Sequence, residues 1–358
     1  MKLMEDDNMY VHRMQLPREV IVGHNILSKT GEMCKTLVFA KRALAITGPN
    51  VKNIIFRKLT NSLEEEKISL DWIVVNESTI QYVNLVEKKI RKFKPTVILG
   101  VGGGKDIDVA KLCSSRMGVP FISIPTSASH DGIASAQTSV KGFKTPYSIK
   151  AHVPIVVIAD IDIIADSPYR LTASGCGDII AKYSAVKDWK LASKMVNEYY
   201  GDYAANLALM SSKLVMKSCN DIKNLKVGAI RTIVEALISC GVAMSIAGSS
   251  RPCSGSEHMF AHALDKINPN KALHGEKCGV GTIMSAYLQA GNWKMVRGFL
   301  EKIGAPISAK ELGVNSKDLV KALVMARKIR PERYTILSLK KLDRKNAEEV
   351  AKITYTIE

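Results

Sequence analysis

Three of the seven histidines lie within one short stretch of the second half of the chain. His258 and His262 are four residues apart in SGSEHMFAHALDK, so on a helix they share one face about one turn apart. His274 follows in KALHGEKCGVG, and Asp178 lies earlier, in SGCGDIIAKYS. Imidazole nitrogens and a carboxylate, with one coordination position left open, are typical ligands of a catalytic zinc. A histidine pair on a helix surface, with His274 at a helix start, would account for the same spacing.

A second stretch with chemical potential, residues 97–139, contains a cluster of glycines. Four of them fall within five residues and are followed by a lysine: Gly100, Gly102, Gly103, Gly104 and Lys105. An apolar run precedes the cluster and a helical pattern begins at Asp106, so the backbone amides of the turn can bind an anion such as a diphosphate. The spacing is neither the dinucleotide fingerprint nor the P-loop. On spacing alone, a plain connection between a strand and a helix is also possible.

The elements that must position this turn alternate between strands and helices. Short apolar strands are predicted at residues 16–22, 43–47, 72–75, 97–99, 121–124 and 155–158. Helical patterns separate them at residues 37–41, 52–59 and 79–93 and from Asp106 onward, and the polar segment 140–148 suggests a hairpin. Such alternation predicts crossover connections and a mostly parallel, Rossmann-like sheet.

The character of the chain changes at Ser167-Pro168, where a serine N-cap and a proline at the first helical position predict the start of a helix. Helical patterns then follow at residues 177–195, 203–219, 228–247, 258–265, 275–290, 293–303, 317–328 and 346–353. We therefore expect an α/β dinucleotide-binding domain over residues 1–166 and an all-helical domain for metal and substrate over residues 167–358.

The composition limits the classes of function. The net charge is +17, but the basic residues are spread along the chain, aromatic residues make up only 6%, and no RNA-stacking motif is present. A dedicated nucleic-acid-binding role is therefore disfavoured, and a lysine-rich surface that attracts anionic small molecules is the better interpretation. Seven scattered cysteines without a C-x-x-C pair indicate reduced thiols rather than disulfides or a cysteine zinc site.

The location of the protein is also predicted from the sequence. No apolar run approaches the about 20 residues of a membrane span, and the first residues lack the layout of a signal peptide. We therefore expect a cytoplasmic protein without a membrane span. Apolar helices in the second half of the chain favour a homo-oligomer.

Five motifs together resemble one family. GVGGGKDIDVAK, FISIPTSASHDGIAS, SGCGDIIAKYSAVKDW, SGSEHMFAHAL and LHGEKCGVGTI occur in this order over nearly the whole chain. They are similar to those of the sn-glycerol-1-phosphate dehydrogenases, which belong with the iron-containing alcohol dehydrogenases, glycerol dehydrogenases and dehydroquinate synthases. The resemblance implies a dehydroquinate synthase-like fold. It also implies zinc-assisted reduction of dihydroxyacetone phosphate by NADH or NADPH to sn-glycerol 1-phosphate, for archaeal-type ether phospholipids.

The resemblance also implies roles for particular residues. Asp178, His258 and His274 match the zinc ligands of the family. Asp131 and His262 match catalytic residues that contact the substrate, which Asp178 also contacts. The positions that match the family's cofactor contacts are Gly102, Gly103, Gly104, Lys105, Asp106, Ile107, Asp108, Thr126, Ser127, Ala128, Ser129 and Ser135.

Cofactor choice and rival functions can be argued from the same residues. The strand at residues 43–47 is followed by Gly48-Pro49-Asn50, without the carboxylate that would repel a 2′-phosphate, so we expect both NADH and NADPH to be accepted. A glycerol dehydrogenase acting on the unphosphorylated triol is the main alternative. A dehydroquinate synthase fits the segment around His258 and His274 less well. The alternative outside the enzymes is a basic nucleic-acid-binding protein with the same fold.

Overall fold

The computed structural model describes residues 14–142, 149–269 and 271–358. Within these residues the first part of the chain forms a six-stranded parallel sheet in the order β1-β8-β5-β4-β2-β3. A separate antiparallel pair, β6 and β7, lies between β5 and β8 in the chain. The strands are β1 (Glu19–Gly23), β2 (Arg42–Thr47), β3 (Ser69–Val74), β4 (Val97–Gly102), β5 (Phe121–Pro125), β6 (Gln137–Thr138), β7 (Ile149–Lys150) and β8 (Val156–Asp160).

Helices connect these strands and then make up the rest of the chain. Those of the sheet region are α1 (Thr30–Val38), α2 (Pro49–Glu65), α3 (Ile80–Phe93), α4 (Gly104–Met117) and α5 (Ile161–Ala165). Those that follow are α6 (Tyr169–Ile180), α7 (Lys182–Val196), α8 (Asp202–Lys217), α9 (Cys219–Lys223), α10 (Val227–Ala247), α11 (Ser256–Ile267), α12 (His274–Leu288), α13 (Trp293–Ile303), α14 (Ser316–Ala326), α15 (Ile336–Lys340) and α16 (Arg344–Ile353). Short 3-10 helices occupy Ile26–Lys29 and Asp131–Ile133.

The sheet is buried on both faces, as expected for parallel strands covered by helices. Along β4, Val97, Leu99 and Val101 belong to the cluster that packs on α1 and α2. Ile98 points to the opposite face, which packs on α3 and α4 and is continuous with the core of the helical part. The predicted parallel α/β region followed by a helical region is confirmed.

The boundary between the two regions falls where the sequence pattern changes. Helix α5 ends at Ala165 and α6 begins at Tyr169, with Pro168 as its N-cap. Ser167 is not the cap that was predicted, because its hydroxyl donates a hydrogen bond to the carbonyl of Ile164. One hydrophobic cluster contains residues from both regions, so their division into two domains at residue 166 stays a prediction.

Helix α10 is long and apolar enough, by length and composition alone, to cross a membrane, in contrast to what we expected from the sequence. Most of its apolar window is buried inside the protein, against α5, α6 and α8. Most of its buried apolar residues belong to the hydrophobic cluster that contains residues from both regions, called the central hydrophobic cluster below. A core helix of this kind passes the same length and composition test as a membrane span.

Two helix predictions are wrong in detail. The helix predicted at residues 37–41 is α1, which begins earlier, at Thr30, and ends at Val38, because Phe39 adopts a left-handed φ of 51°. The helix predicted at residues 177–195 is divided into α6 and α7. The hairpin predicted at residues 140–148 is flanked by β6 and β7, which pair in antiparallel fashion, and its residues 143–148 lie outside the described residues.

Candidate active site

The glycine turn lies between the end of β4 and the start of α4. Gly102 has a φ of 149°, and a Cβ atom there would lie 2.1 Å from Asp106 Oδ2, so only glycine fits. The Asp106 carboxylate accepts a hydrogen bond from the Gly103 N–H at 3.1 Å, which closes the turn onto the first turn of the helix. A Cβ at Gly103 would meet only Ser127 Oγ within 4 Å, at 3.6 Å, so this backbone can be approached closely.

The turn lies at a switch point of the sheet. The chain leaves β2 toward β3 on one side and leaves β4 toward β5 on the other, although β2 and β4 are neighbours. Ligands of open α/β sheets bind in the crevice that forms at this point, outside the carboxyl ends of the strands. Gly48 follows β2 here, and a Cβ on it would lie 3.3 Å from Asp106 Oδ1. A small-residue crevice at a helix N-terminus fits the diphosphate of a dinucleotide.

The second predicted cofactor segment borders the same crevice. It follows β5, and the N–H of Thr126 donates to the carbonyl of Gly102 at 3.0 Å. Ser127 and Ser129 approach one another through their hydroxyls, at 3.5 Å. Ser135 lies further along, fully buried, and its hydroxyl accepts a hydrogen bond from the N–H of Gln137.

Two of the predicted cofactor residues turn their side chains elsewhere. Ile107 is part of the central hydrophobic cluster. Asp108 accepts a hydrogen bond from the N–H of Ser139 at 2.9 Å and lies near the buried Lys111 ammonium. The Ile107 side chain is thus part of the core, and the Asp108 carboxylate contacts Ser139 and Lys111.

Two titratable groups border the turn. Burial raises the pKa of the Asp106 carboxyl to about 7, although Lys105 and the Gly103 amide act in the opposite direction. His130 uses Nδ1 to accept the N–H of Gly132 at 2.8 Å. Its Nε2 is buried and has no hydrogen-bond partner among the described residues. A Cβ atom built on Gly104 would lie 2.0 Å from this nitrogen.

A potential metal site lies on the helical side. One ligand atom each from Asp178, His258, His274 and Cys278 lies within 4.8 Å of the others. The three predicted zinc ligands are thus brought together by α6, α11 and α12, and the structure adds the Cys278 thiol, 3.6 Å from His274 Nε2. His262 is outside this group, with its ring centre 5.8 Å from that of His274 and 6.5 Å from that of His258.

The ligand atoms of this group are oriented by their own partners. Glu257 Oε1 lies 2.9 Å from His258 Nδ1, so that His258 Nε2 is directed toward Asp178, with Oδ1 3.5 Å away. Asp178 Oδ2 accepts the N–H of Asp131 at 3.0 Å, and Oδ1 accepts from Lys182 Nζ at 2.7 Å. A carboxylate on the remote nitrogen of a histidine is the usual support of a metal ligand.

The carboxylate of this group is ionised. Burial opposes ionisation of Asp178, but Lys182 and His258 hold the pKa of its carboxyl well below the usual range. Burial, together with the imidazoles of His274 and His258, lowers the pKa of His262 well below its ordinary value, so this side chain is neutral near pH 7. Two imidazoles, an ionised carboxylate and a supporting carboxylate therefore fit zinc by their chemistry and proximity.

Sequence reasoning missed three residues of the site. Lys182 lies four residues after Asp178 and Cys278 four residues after His274, a spacing that places each pair on one helical face. Glu257 immediately precedes His258. The spacings were available in the sequence, but they do not distinguish a supporting contact from an ordinary pair on a helix.

The fold is shared with proteins of known structure. The profile of the iron-containing alcohol dehydrogenases matches residues 21–168. The structure is similar to glycerol dehydrogenase from Schizosaccharomyces pombe, with a TM-score of 0.80 and 21% identity, covering 96% of this chain and 90% of that one. It is also similar to a probable glycerol dehydrogenase from Sinorhizobium meliloti, with a TM-score of 0.77 and 19% identity, covering 97% and 100%. The chain thus has the fold of the iron-containing alcohol dehydrogenases.

The sequence relatives are more specific. The chain is 49% identical to a protein of Methanosarcina mazei over 344 residues (96% of each chain) and 50% identical to one of Pyrococcus furiosus over 347 residues (97% of this chain, 100% of the relative). A protein of Nitrosopumilus maritimus is 46% identical over 352 residues (98% and 99%). All three are named NAD(P)+ glycerol-1-phosphate dehydrogenases. This chain belongs to the same family of NAD(P)-dependent dehydrogenases.

Proposed function

We propose that the enzyme reduces dihydroxyacetone phosphate to sn-glycerol 1-phosphate with NADH or NADPH, assisted by zinc. The observation that carries the proposal is the hydrogen bond from the Asp131 N–H to Asp178 Oδ2, 3.0 Å long. Asp131 follows the predicted cofactor segment and Asp178 belongs to the potential metal site, so the two half-sites meet there. Family membership supports the choice of substrate.

The residues of the site have the properties that a ketone reduction requires. NADH or NADPH in the crevice would supply the hydride, and zinc on Asp178, His258 and His274 would supply a Lewis acid for the carbonyl oxygen. His262 and Asp131 orient the substrate hydroxyl, and either can pass the proton that the new alcohol requires. Neutral His262 can donate a hydrogen bond from one ring nitrogen and accept one at the other.

The proposal is tested by following the loss of NADH absorbance with dihydroxyacetone phosphate as substrate. We expect turnover with the phosphate, much slower turnover with unphosphorylated dihydroxyacetone, loss of activity after chelation and recovery with added zinc. The product should not be oxidised by an sn-glycerol-3-phosphate dehydrogenase. Faster reduction of the unphosphorylated ketone would refute the proposal in favour of a glycerol dehydrogenase.

The cofactor choice is part of the proposal. Gly48 follows β2, and neither Pro49 nor Asn50 carries a charge that would repel a 2′-phosphate. NADPH should therefore support turnover as well as NADH. The absence of turnover with NADPH, under conditions in which NADH is oxidised, would show that the crevice excludes the phosphate by another means.

The use of the product, the location of the enzyme and its oligomeric state are further parts of the proposal. Its product would be the phosphorylated backbone of ether phospholipids, made in the cytoplasm by a homo-oligomer. Large apolar side chains exposed on α7, α8 and the turn between them support self-association: Met195, Val196, Tyr199, Tyr203, Met210 and Leu214. Light scattering coupled to size-exclusion chromatography should give a mass above the 39.2 kDa of one chain, and a mass of one chain would contradict this part.

A further inference from the structure

Lys182 is the first residue of α7, directly after the break that separates this helix from α6. Its side chain is completely buried. The ammonium nitrogen lies 2.7 Å from Asp131 Oδ2 and 2.7 Å from Asp178 Oδ1. One cation therefore bridges two carboxylates, one beside the cofactor crevice and one in the potential metal site.

The two carboxylates are tied in a second way. The Asp131 N–H donates to Asp178 Oδ2, so both oxygens of Asp178 accept a hydrogen bond, one from this backbone group and one from Lys182. A carboxylate with both oxygens engaged cannot rotate freely about its Cβ–Cγ bond. The lone pairs that remain are directed by these contacts, and Oδ1 lies 3.5 Å from His258 Nε2.

The bridge also answers an electrostatic problem. Asp131 and Asp178 are like charges that share one ammonium, and Asp178 is buried. Two carboxylates at this separation in a buried site repel each other unless a cation lies between them. Without Lys182 we expect Asp131, which is the more exposed of the two, to turn away toward solvent.

We propose that Lys182 is the positioning residue of the active site, because its ammonium fixes the orientation of Asp178 toward the two imidazoles and holds Asp131 beside it. This inference rests on the zinc-assisted reduction proposed above, but it concerns Lys182, for which no role was assigned from the sequence. Lys182 acts through the two carboxylates and not on the substrate.

A role of Lys182 in positioning can be distinguished from a role in charge balance by the direction in which metal affinity changes when the lysine is removed. A lysine that only neutralises the carboxylates repels a divalent cation, so its removal would tighten metal binding. A lysine that orients Asp178 favours metal binding, so its removal would weaken it. Loss of a partner that orients a metal ligand typically lowers metal affinity by about 10- to 100-fold.

The experiment measures Co²⁺ binding to the full chain, without cofactor or substrate, by competition with a chelating dye and by the visible absorption of bound cobalt. For Lys182→Met we expect the Kd for Co²⁺ to rise about 10- to 100-fold and the cobalt spectrum to change. A Kd that is unchanged or lower would overturn the proposal. The matched control is Lys111→Met, which removes another fully buried lysine whose ammonium donates to the carbonyls of Gly132 and Gln137.

The control and a second variant make the result specific. Lys111→Met should leave the Kd for Co²⁺ within about threefold of wild type, well below the 10- to 100-fold rise expected for Lys182→Met. An equal rise in both variants would mean that the loss of any buried lysine weakens binding, and the proposal would fail. Lys182→Ala leaves space for propylamine, which should restore Co²⁺ binding where 1-propanol does not. Failure of this rescue in a folded variant, shown by circular dichroism, would count against the ammonium as the active group. Lys182→Arg keeps the charge and the donors, and a Kd rise smaller than that of the methionine variant is expected.

The outcome is independent of the substrate. If wild-type protein binds Co²⁺ but does not reduce dihydroxyacetone phosphate, the proposed function fails while the comparison at Lys182 still stands. If reduction is observed and Lys182→Met binds Co²⁺ as tightly as wild type, the proposed function stands and the positioning role fails.

Discussion

Glycines set the distance between the helices that carry the potential metal ligands. Gly177 and Gly275 each stand next to a ligand residue, Asp178 and His274, and face each other across α6 and α12. A Cβ built on Gly275 would lie 1.8 Å from the carbonyl oxygen of Ser174. A carbon–oxygen contact of about 3.3 Å is the usual lower limit, so Gly275→Ala must separate the two helices by roughly 1.5 Å.

The cost of this substitution can be worked out from the contact. The carbonyl oxygen of Ser174 belongs to a helix backbone, which cannot move aside as a side chain can. The overpacking penalty should therefore be at the upper end of the usual range, about 3 kcal/mol. The higher helix propensity of alanine returns about 1 kcal/mol. Because the unfolding entropy of a 358-residue chain is about 0.75 kcal/mol/K, a net loss of about 2 kcal/mol should lower the Tm by roughly 3 °C.

The same displacement should affect metal binding more strongly than stability. Metal–ligand distances tolerate changes of only about 0.2 Å, and a shift of roughly 1.5 Å between Asp178 and His274 should weaken Co²⁺ binding by about 100-fold or more. The matched control is Gly279→Ala on the same helix, where the new Cβ would lie 3.2 Å from the tip of Leu300 and, at ordinary van der Waals distance, 3.7 Å from the Cα of Gly177. Its Kd for Co²⁺ should match that of wild type.

Thermal unfolding and dye competition for Co²⁺, measured on both variants, decide the matter. If Gly275→Ala binds Co²⁺ as tightly as Gly279→Ala and unfolds at the same temperature, the close approach of α6 and α12 is not what sets the ligand geometry, and the reasoning is refuted.

Three further predictions concern single side chains. Because burial raises the pKa of Asp106 to about 7, the folded state holds a proton that the unfolded state has lost, and the stability of the wild type falls as the pH rises toward 7. The stability of Asp106→Asn relative to wild type should therefore increase by about 1.4 kcal/mol per pH unit between pH 5 and 7. Urea unfolding curves that give the same stability difference at every pH would contradict this. Cys278→Ala should keep zinc in a metal assay and show the cobalt spectrum of the parent, since three protein ligands are typical of a catalytic site; loss of a thiolate-to-cobalt charge-transfer band would instead make Cys278 a ligand. Glu257→Gln should raise the Kd for Co²⁺ about tenfold through a less basic His258, whereas Glu198→Gln, at an ion pair with Arg251, should not.

The glycine turn and the strands around it could be predicted from the sequence because local signals suffice there. An apolar run, a glycine cluster and a helical pattern are contiguous, and β4, the turn and α4 follow this order. The histidine pair could be placed on one helix for the same reason. That only His258 of the pair joins the potential metal site, and His262 does not, depends on how α11 faces α12 and could not be derived from the spacing.

Elements were misjudged where a local signal is ambiguous. The polar start of α1, with Gly31 in its first turn, resembles a loop, but that glycine is required because a Cβ would lie 1.8 Å from the carbonyl of Ser62 on α2. The break between α6 and α7 is invisible in the pattern, because Ala181 keeps helical angles and still donates to the carbonyl of Gly177. Lys182 follows this break and still contacts Asp178, as it would at the same spacing in an unbroken helix.

Helix α6 joins the two halves of the site, and its small residues explain how. A Cβ on Gly175 would lie 1.9 Å from the carbonyl of Ala128, in the segment that borders the crevice, and one on Gly177 would lie 2.4 Å from the carbonyl of Gly275 on α12. Through Gly175 and Gly177 the helix therefore contacts the border of the crevice and the helix that begins with His274, and Asp178 follows directly. Since neither contact leaves room for a methyl group, the distance between the crevice and the metal ligands is set by backbone against backbone. Such contacts cannot be repacked by side-chain motion, so α6 fixes where a hydride donor and a Lewis acid would meet.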